Sequence, residues 1–166
     1  MSIFHSSYNA AFVVLPFIGT FPFFIAACVT DFKEHRLPNK LVLLCSFAVL
    51  TCIIIGGIAL GQPDLIGRSV RSAIYALIVF GLLHTVSKTQ LGMGDVKFSV
   101  PCGFLIGWYV PNAWLLWIWI SFATAAVTIL PGLLSKRLNR HQAIAFGPYM
   151  YFAVCAVICQ SFWVAN

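Results

Sequence analysis

From Phe98 to Ser135 the chain carries no charged side chain. A helix crosses the hydrocarbon core of a bilayer in about 20 mainly apolar residues. The run is therefore too long for one crossing, and Pro111-Asn112 divides it into two. Composition puts the rest of the chain in the same solvent. Of its 166 residues, 61% are hydrophobic and 8% are charged, against roughly a quarter charged in a soluble domain. A water-soluble fold of this length leaves too much surface exposed to hide so much apolar area. The expectation is an all-α, polytopic membrane protein with about six transmembrane helices, forming a single domain over residues 1–166.

The spans are predicted at about Ala11 to Thr30, Leu41 to Leu60, Ser69 to Val86, Asp95 to Val110, Ala113 to Leu134 and Ala145 to Val164. Gly61-Gln62-Pro63-Asp64 reads as a turn after the second. The first span lacks a preceding basic region, so it reads as a retained helix rather than a cleaved signal peptide.

A net charge of +6 does not point to nucleic acid. The basic residues sit in short clusters between apolar runs, without the aromatic interleaving of a nucleic-acid surface. With both termini outside, Lys33, Arg36, Lys40, Lys88, Lys97, Lys136, Arg137 and Arg140 fall in inside loops, and only Arg68 and Arg71 fall outside. The positive-inside rule favours that topology. Trp108, Trp114, Trp117 and Trp119 then cluster near the outer boundary, as an interfacial belt.

The chain has four acidic residues: Asp31, Glu34, Asp64 and Asp95. Asp31 ends the first span and Asp95 opens the fourth, so the topology brings both to the cytoplasmic face. Ionisable groups near a membrane are costly and call for a functional hypothesis, against the alternative that acidic residues at helix ends are interfacial caps facing water. Two carboxylates that share a proton can hydrolyse a peptide bond. One draws a proton from water, and the other, protonated, polarises the scissile carbonyl. Asp95 lies in Gly92-Met93-Gly94-Asp95. The glycines free the backbone there and admit a substrate strand.

Three stretches carry a family resemblance: Asp31 to Asn39 with its Pro38-Asn39, Gly92-Met93-Gly94-Asp95-Val96-Lys97, and Phe146-Gly147-Pro148 before the last span. Together they resemble the type IV prepilin peptidases, the G-x-G-D membrane aspartyl proteases. The short form is similar to the tight-adherence (Flp-type) members. Presenilin-like G-x-G-D enzymes fit less well, because Thr30 rather than Tyr precedes Asp31. The resemblance implies that Asp31 and Asp95 are the catalytic pair. It implies prepilins or pseudopilins as substrates, cut at the cytoplasmic boundary of a prokaryotic inner membrane in pilus assembly or secretion. Larger members add paired C-x-x-C motifs and methyl transfer. The six cysteines here form no C-x-x-C pair, so peptidase activity without methyl transfer is expected.

Gly92 and Gly94 are expected to shape the site. Pro38 and Asn39 read as the start of the second helix, with Asn39 as its cap and a supporting role at the site as the alternative. Lys97 can pair with a carboxylate or snorkel to headgroups, and snorkelling is the preferred reading. No histidine pair has metal-ligand spacing, and no metal or organic cofactor is implied. The competing function is a non-enzymatic transport or assembly subunit whose aspartates handle protons or cations. Span interiors offering little beyond Ser and Thr argue against it.

Overall fold

The computed structural model describes residues 7–34, 37–87, 91–134 and 145–164. Arg36, Lys88, Lys136, Arg137 and Arg140, which carry much of the topology argument, lie outside the described residues, as do His5, His35 and His141. The described chain folds into six helices: α1 (Ser7–Glu34), α2 (Asn39–Ala59), α3 (Pro63–Val86), α4 (Met93–Tyr109), α5 (Trp114–Leu134) and α6 (Gly147–Val164). Among the described residues there is no strand. By length and composition α1, α2 and α3 can each cross a bilayer. With 17 residues, α4 reaches about 25 Å.

Helix ends follow local chemistry. Leu60, Gly61 and Gln62 close α2 with a Schellman arrangement: Gly61 takes a left-handed φ of 63°, its N–H reaches Ile58 O, and the Gln62 N–H reaches Gly57 O. Pro63 in the first turn, followed by Asp64, then starts α3. That is earlier than the apolar run alone predicts, because hydropathy does not register a polar first turn. Asn112, at φ 63°, makes the expected break between α4 and α5.

Close packing rests on small residues. A Cβ on Gly107 would stand 2.6 Å from Arg68 O, and one on Gly103 would stand 2.7 Å from the Ala73 Cα. The pair forms a small-x-x-x-small seam that lets α4 lie directly on α3. On α1, Pro16 interrupts the hydrogen-bond ladder. One turn earlier, Val13 O accepts from Trp108 Nε1 at 3.1 Å and Tyr109 Oη at 2.9 Å. That clamp fastens the end of α4 to α1.

The tryptophans depart from the expected belt. Trp117 is fully buried. Its ring lies beside Phe80, and its indole N–H donates to Met150 O at 3.0 Å. Trp108 is buried too, whereas Trp119 is exposed. Residue type marks an aromatic as suited to an interface, but the helix rotation decides which of them turn inward.

Candidate active site

The site forms where four helices end together. Asp31 occupies the last turn of α1, and Asp95 occupies the first turn of α4. Both are buried, with 4% and 8% of their surface exposed. Their carboxylates are close enough for the charge of one to bear on the other.

Each aspartate lies against a glycine whose missing Cβ leaves room for the carboxylate. The N–H of Gly147, first residue of α6, donates to Asp31 Oδ2 at 2.8 Å. The N-terminus of that helix, with its partial positive charge, faces the carboxylate. A Cβ at position 147 would stand 2.9 Å from the same oxygen. On α4, Gly92 is the N-cap and Asp95 is the third helical residue. The Asp95 carboxylate folds back toward the Gly92 N–H, and a Cβ on Gly92 would stand 3.0 Å from its Oδ2. This is one half of a capping box. Gly94 admits the segment that follows Asp31: a Cβ there would stand 2.9 Å from the Leu37 Cβ.

Pro38 and Asn39 lie beside this turn, with Pro38 at the N-cap of α2 and no side-chain cap bond. Asn39 is thus the first helical residue and not the cap. Its Oδ1 accepts from Lys97 Nζ at 2.8 Å. In that bond the partner of Lys97 is an amide oxygen and not a carboxylate. The bond ties the start of α2 to the first turn and a half of α4, and so joins the Pro-Asn stretch to the G-x-G-D stretch.

An aromatic layer underlies the carboxylates. Phe24 lies two turns before Asp31, Phe98 one turn after Asp95, and Tyr151 one turn after Gly147. The Phe24 and Tyr151 rings stack at 4.7 Å, and Phe24 meets Phe98 at 5.5 Å. Each such contact contributes about 0.5–1.5 kcal/mol beyond its area. The layer fixes the relative heights of α1, α4 and α6.

Two residues gain a role that the sequence does not reveal. His84 Nδ1 lies 2.6 Å from Leu91 O, so that nitrogen carries the proton. The Leu91 N–H reaches Ser87 Oγ at 3.4 Å. Both ends of Leu91 are therefore held to α3 immediately before Gly92. The histidine lies eight positions before Gly92, with no motif to link the two. Among the described residues no group of three or more His, Cys, Asp or Glu is placed to hold a metal ion.

The profile of the type IV leader peptidase family matches residues 18–130. The chain belongs to that family. It is accordingly a leader peptidase of the prepilin-processing kind in a multi-pass membrane protein. The matched stretch contains Asp31 to Asn39 and Gly92 to Lys97 and ends before Phe146-Gly147-Pro148. No curated protein and no solved structure matches the chain.

Proposed function

We propose that the chain is an aspartyl endopeptidase in which Asp31 and Asp95 form the catalytic pair. The observation that carries this reading is that two buried aspartates lie at one end of the bundle, near enough for the charge of Asp31 to act on Asp95. Like charges that act on each other titrate as a pair. In the singly protonated pair, the ionised member accepts a proton from water as it attacks the scissile carbon. The protonated member hydrogen-bonds the carbonyl oxygen. The Gly147 N–H holds Asp31 in place, and Gly92 and Gly94 let the Asp95 carboxylate and the Leu37 segment close up beside the turn.

The substrates in this reading are prepilins or pseudopilins, cut at the cytoplasmic end of their apolar segment. Charge supports the orientation. Lys33, Lys40 and Lys97 lie at the same end as the two aspartates, while Arg68 and Arg71 lie near the other. The basic loops thus face the cytoplasm, and both termini lie outside. In this reading the chain supplies the cleavage step and not methyl transfer.

Among the described residues, Ser72 apart, the buried serine and threonine hydroxyls speak against the transport reading. The buried hydroxyls of Thr20, Ser69, Ser99 and Ser121 each donate to a carbonyl of their own helix, at Pro16, Leu65, Val96 and Trp117. Hydroxyls spent in this way form no relay across the membrane.

Co-expression with a prepilin, followed by mass spectrometry of the membrane fraction, tests the proposal. The expected product starts just after the basic leader and carries no added methyl group. A prepilin left at full length by well-expressed wild type, over a panel of pilin and pseudopilin precursors, would contradict it.

A further inference from the structure

A single peptide unit, the one joining Leu91 to Gly92, links α3 to the Asp95 carboxylate. Its carbonyl oxygen, Leu91 O, lies 2.6 Å from His84 Nδ1. Its N–H, that of Gly92, is the group toward which the Asp95 carboxylate folds back. Among the described residues every peptide bond is trans. A trans peptide is planar, and its C=O and N–H point in opposite directions. Turning the Leu91 carbonyl therefore turns the Gly92 N–H with it. The imidazole holds one edge of the plane, and the carboxylate bonds the other.

The histidine reaches past the end of its own helix. It stands in the last turn of α3, where a basic side chain can cap the final carbonyls. Ser87 closes that end instead: its N–H reaches Leu83 O at 2.8 Å, and its Oγ donates to His84 O at 3.2 Å. The imidazole is left to reach Leu91, seven positions further on. The bond from the Leu91 N–H to Ser87 Oγ is longer, at 3.4 Å, and belongs to the preceding peptide unit. It anchors Leu91 without setting the plane that meets Asp95. Beyond that plane, Gly92 O accepts from the Asp95 N–H at 3.0 Å, so Gly92 meets the aspartate through both its backbone groups. Hydrogen bonds in series through one amide also strengthen each other. An imidazole N–H on the carbonyl makes the Gly92 N–H a better donor to the carboxylate.

We propose that His84 is a positioning residue for Asp95, acting through the Leu91–Gly92 peptide. The inference rests on the aspartyl reading of the site. In this role the histidine fixes where the Asp95 carboxylate stands and takes no proton of the reaction.

The test uses the full chain in proteoliposomes, with steady-state cleavage of a prepilin and thermal unfolding measured for three variants. His84→Asn keeps a donor where Nδ1 stood, because both nitrogens are bonded to Cγ. His84→Gln carries its amide one carbon further out and so moves the donor away. His84→Leu removes it. For the glutamine and leucine variants kcat should fall on the order of tenfold or more, as expected of a catalytic group out of place. His84→Asn should retain most of the wild-type kcat, and KM should change little in all three. Helix propensity alone ranks the two amides the other way, since glutamine is the better helix former. Asp95→Asn, assayed in parallel, should be inactive. Wild-type kcat in His84→Gln and His84→Leu, beside an inactive Asp95→Asn, would overturn the role of His84 alone. Losses of kcat that follow the melting temperature across the three variants would do the same. An active Asp95→Asn would overturn the aspartyl reading and this inference with it.

Discussion

The Gly147 N–H and the Asp31 carboxylate meet at 2.8 Å, although 116 positions separate them in the chain. The bond makes the start of α6 part of the site. It also explains the glycine, since any side chain at 147 would press on the oxygen that the amide holds. Gly147→Ala should therefore displace the carboxylate at a cost of about 1–3 kcal/mol. The expected outcome is a kcat lowered on the order of tenfold or more. KM for the prepilin should change little, and the protein should remain folded. Steady-state kinetics in proteoliposomes check this, and an unchanged kcat would remove Gly147 from the site.

The bond between Lys97 and Asn39 calls for a double-mutant cycle. Lys97→Met and Asn39→Ala each break the same link between α2 and α4, so the double variant should be scarcely worse than either single one. The coupling read from kcat/KM should be about 0.5–1 kcal/mol. Independent, additive losses would mean that the two side chains serve different ends.

Much of this site was legible in the sequence. Both aspartates, the glycine turn and the Pro-Asn stretch lie at the ends of apolar runs, where hydropathy and charge place them on one face. The Lys97–Asn39 contact was not legible, because no local spacing joins residues from separate helices. The Gly147 amide escaped for another reason: a backbone donor has no side-chain signature, and the Phe-Gly-Pro stretch marks only its position. Trp117 lies in the first turn of α5 but turns inward, because composition gives a residue's preference and not its rotation toward the core. The six-helix order and the break at Pro111-Asn112 followed directly from span length.

The pH dependence of cleavage should be bell-shaped, with the two limbs belonging to the pair and not to either aspartate alone. Below the acid limb both carboxyls are protonated and no base remains. Above the alkaline limb both are ionised and nothing polarises the carbonyl. Activity is thus lost in both directions. Initial rates over a pH series in proteoliposomes decide the matter, and a rate that rises to a plateau with pH would show that a single ionised group suffices.

Glycines on the two sides of α3 should respond oppositely to alanine. At Gly103 of α4 a Cβ meets the α3 backbone, whereas at Gly81 of α3 none of the described residues lies within 4 Å. Gly103→Ala should lose about 1–3 kcal/mol. Gly81→Ala should gain up to about 1 kcal/mol from helix propensity. Thermal unfolding in one detergent reads both, and a stabilised Gly103→Ala would contradict the α3–α4 packing.

The central claim is that Asp31 and Asp95 act together. The most direct test is prepilin cleavage by purified Asp31→Asn and Asp95→Asn, with membrane insertion of each variant verified. The amide keeps the shape of the carboxyl but can neither ionise nor share the proton. Both variants should bind the prepilin and leave it uncut. Cleavage at near wild-type rate by either variant would contradict the account.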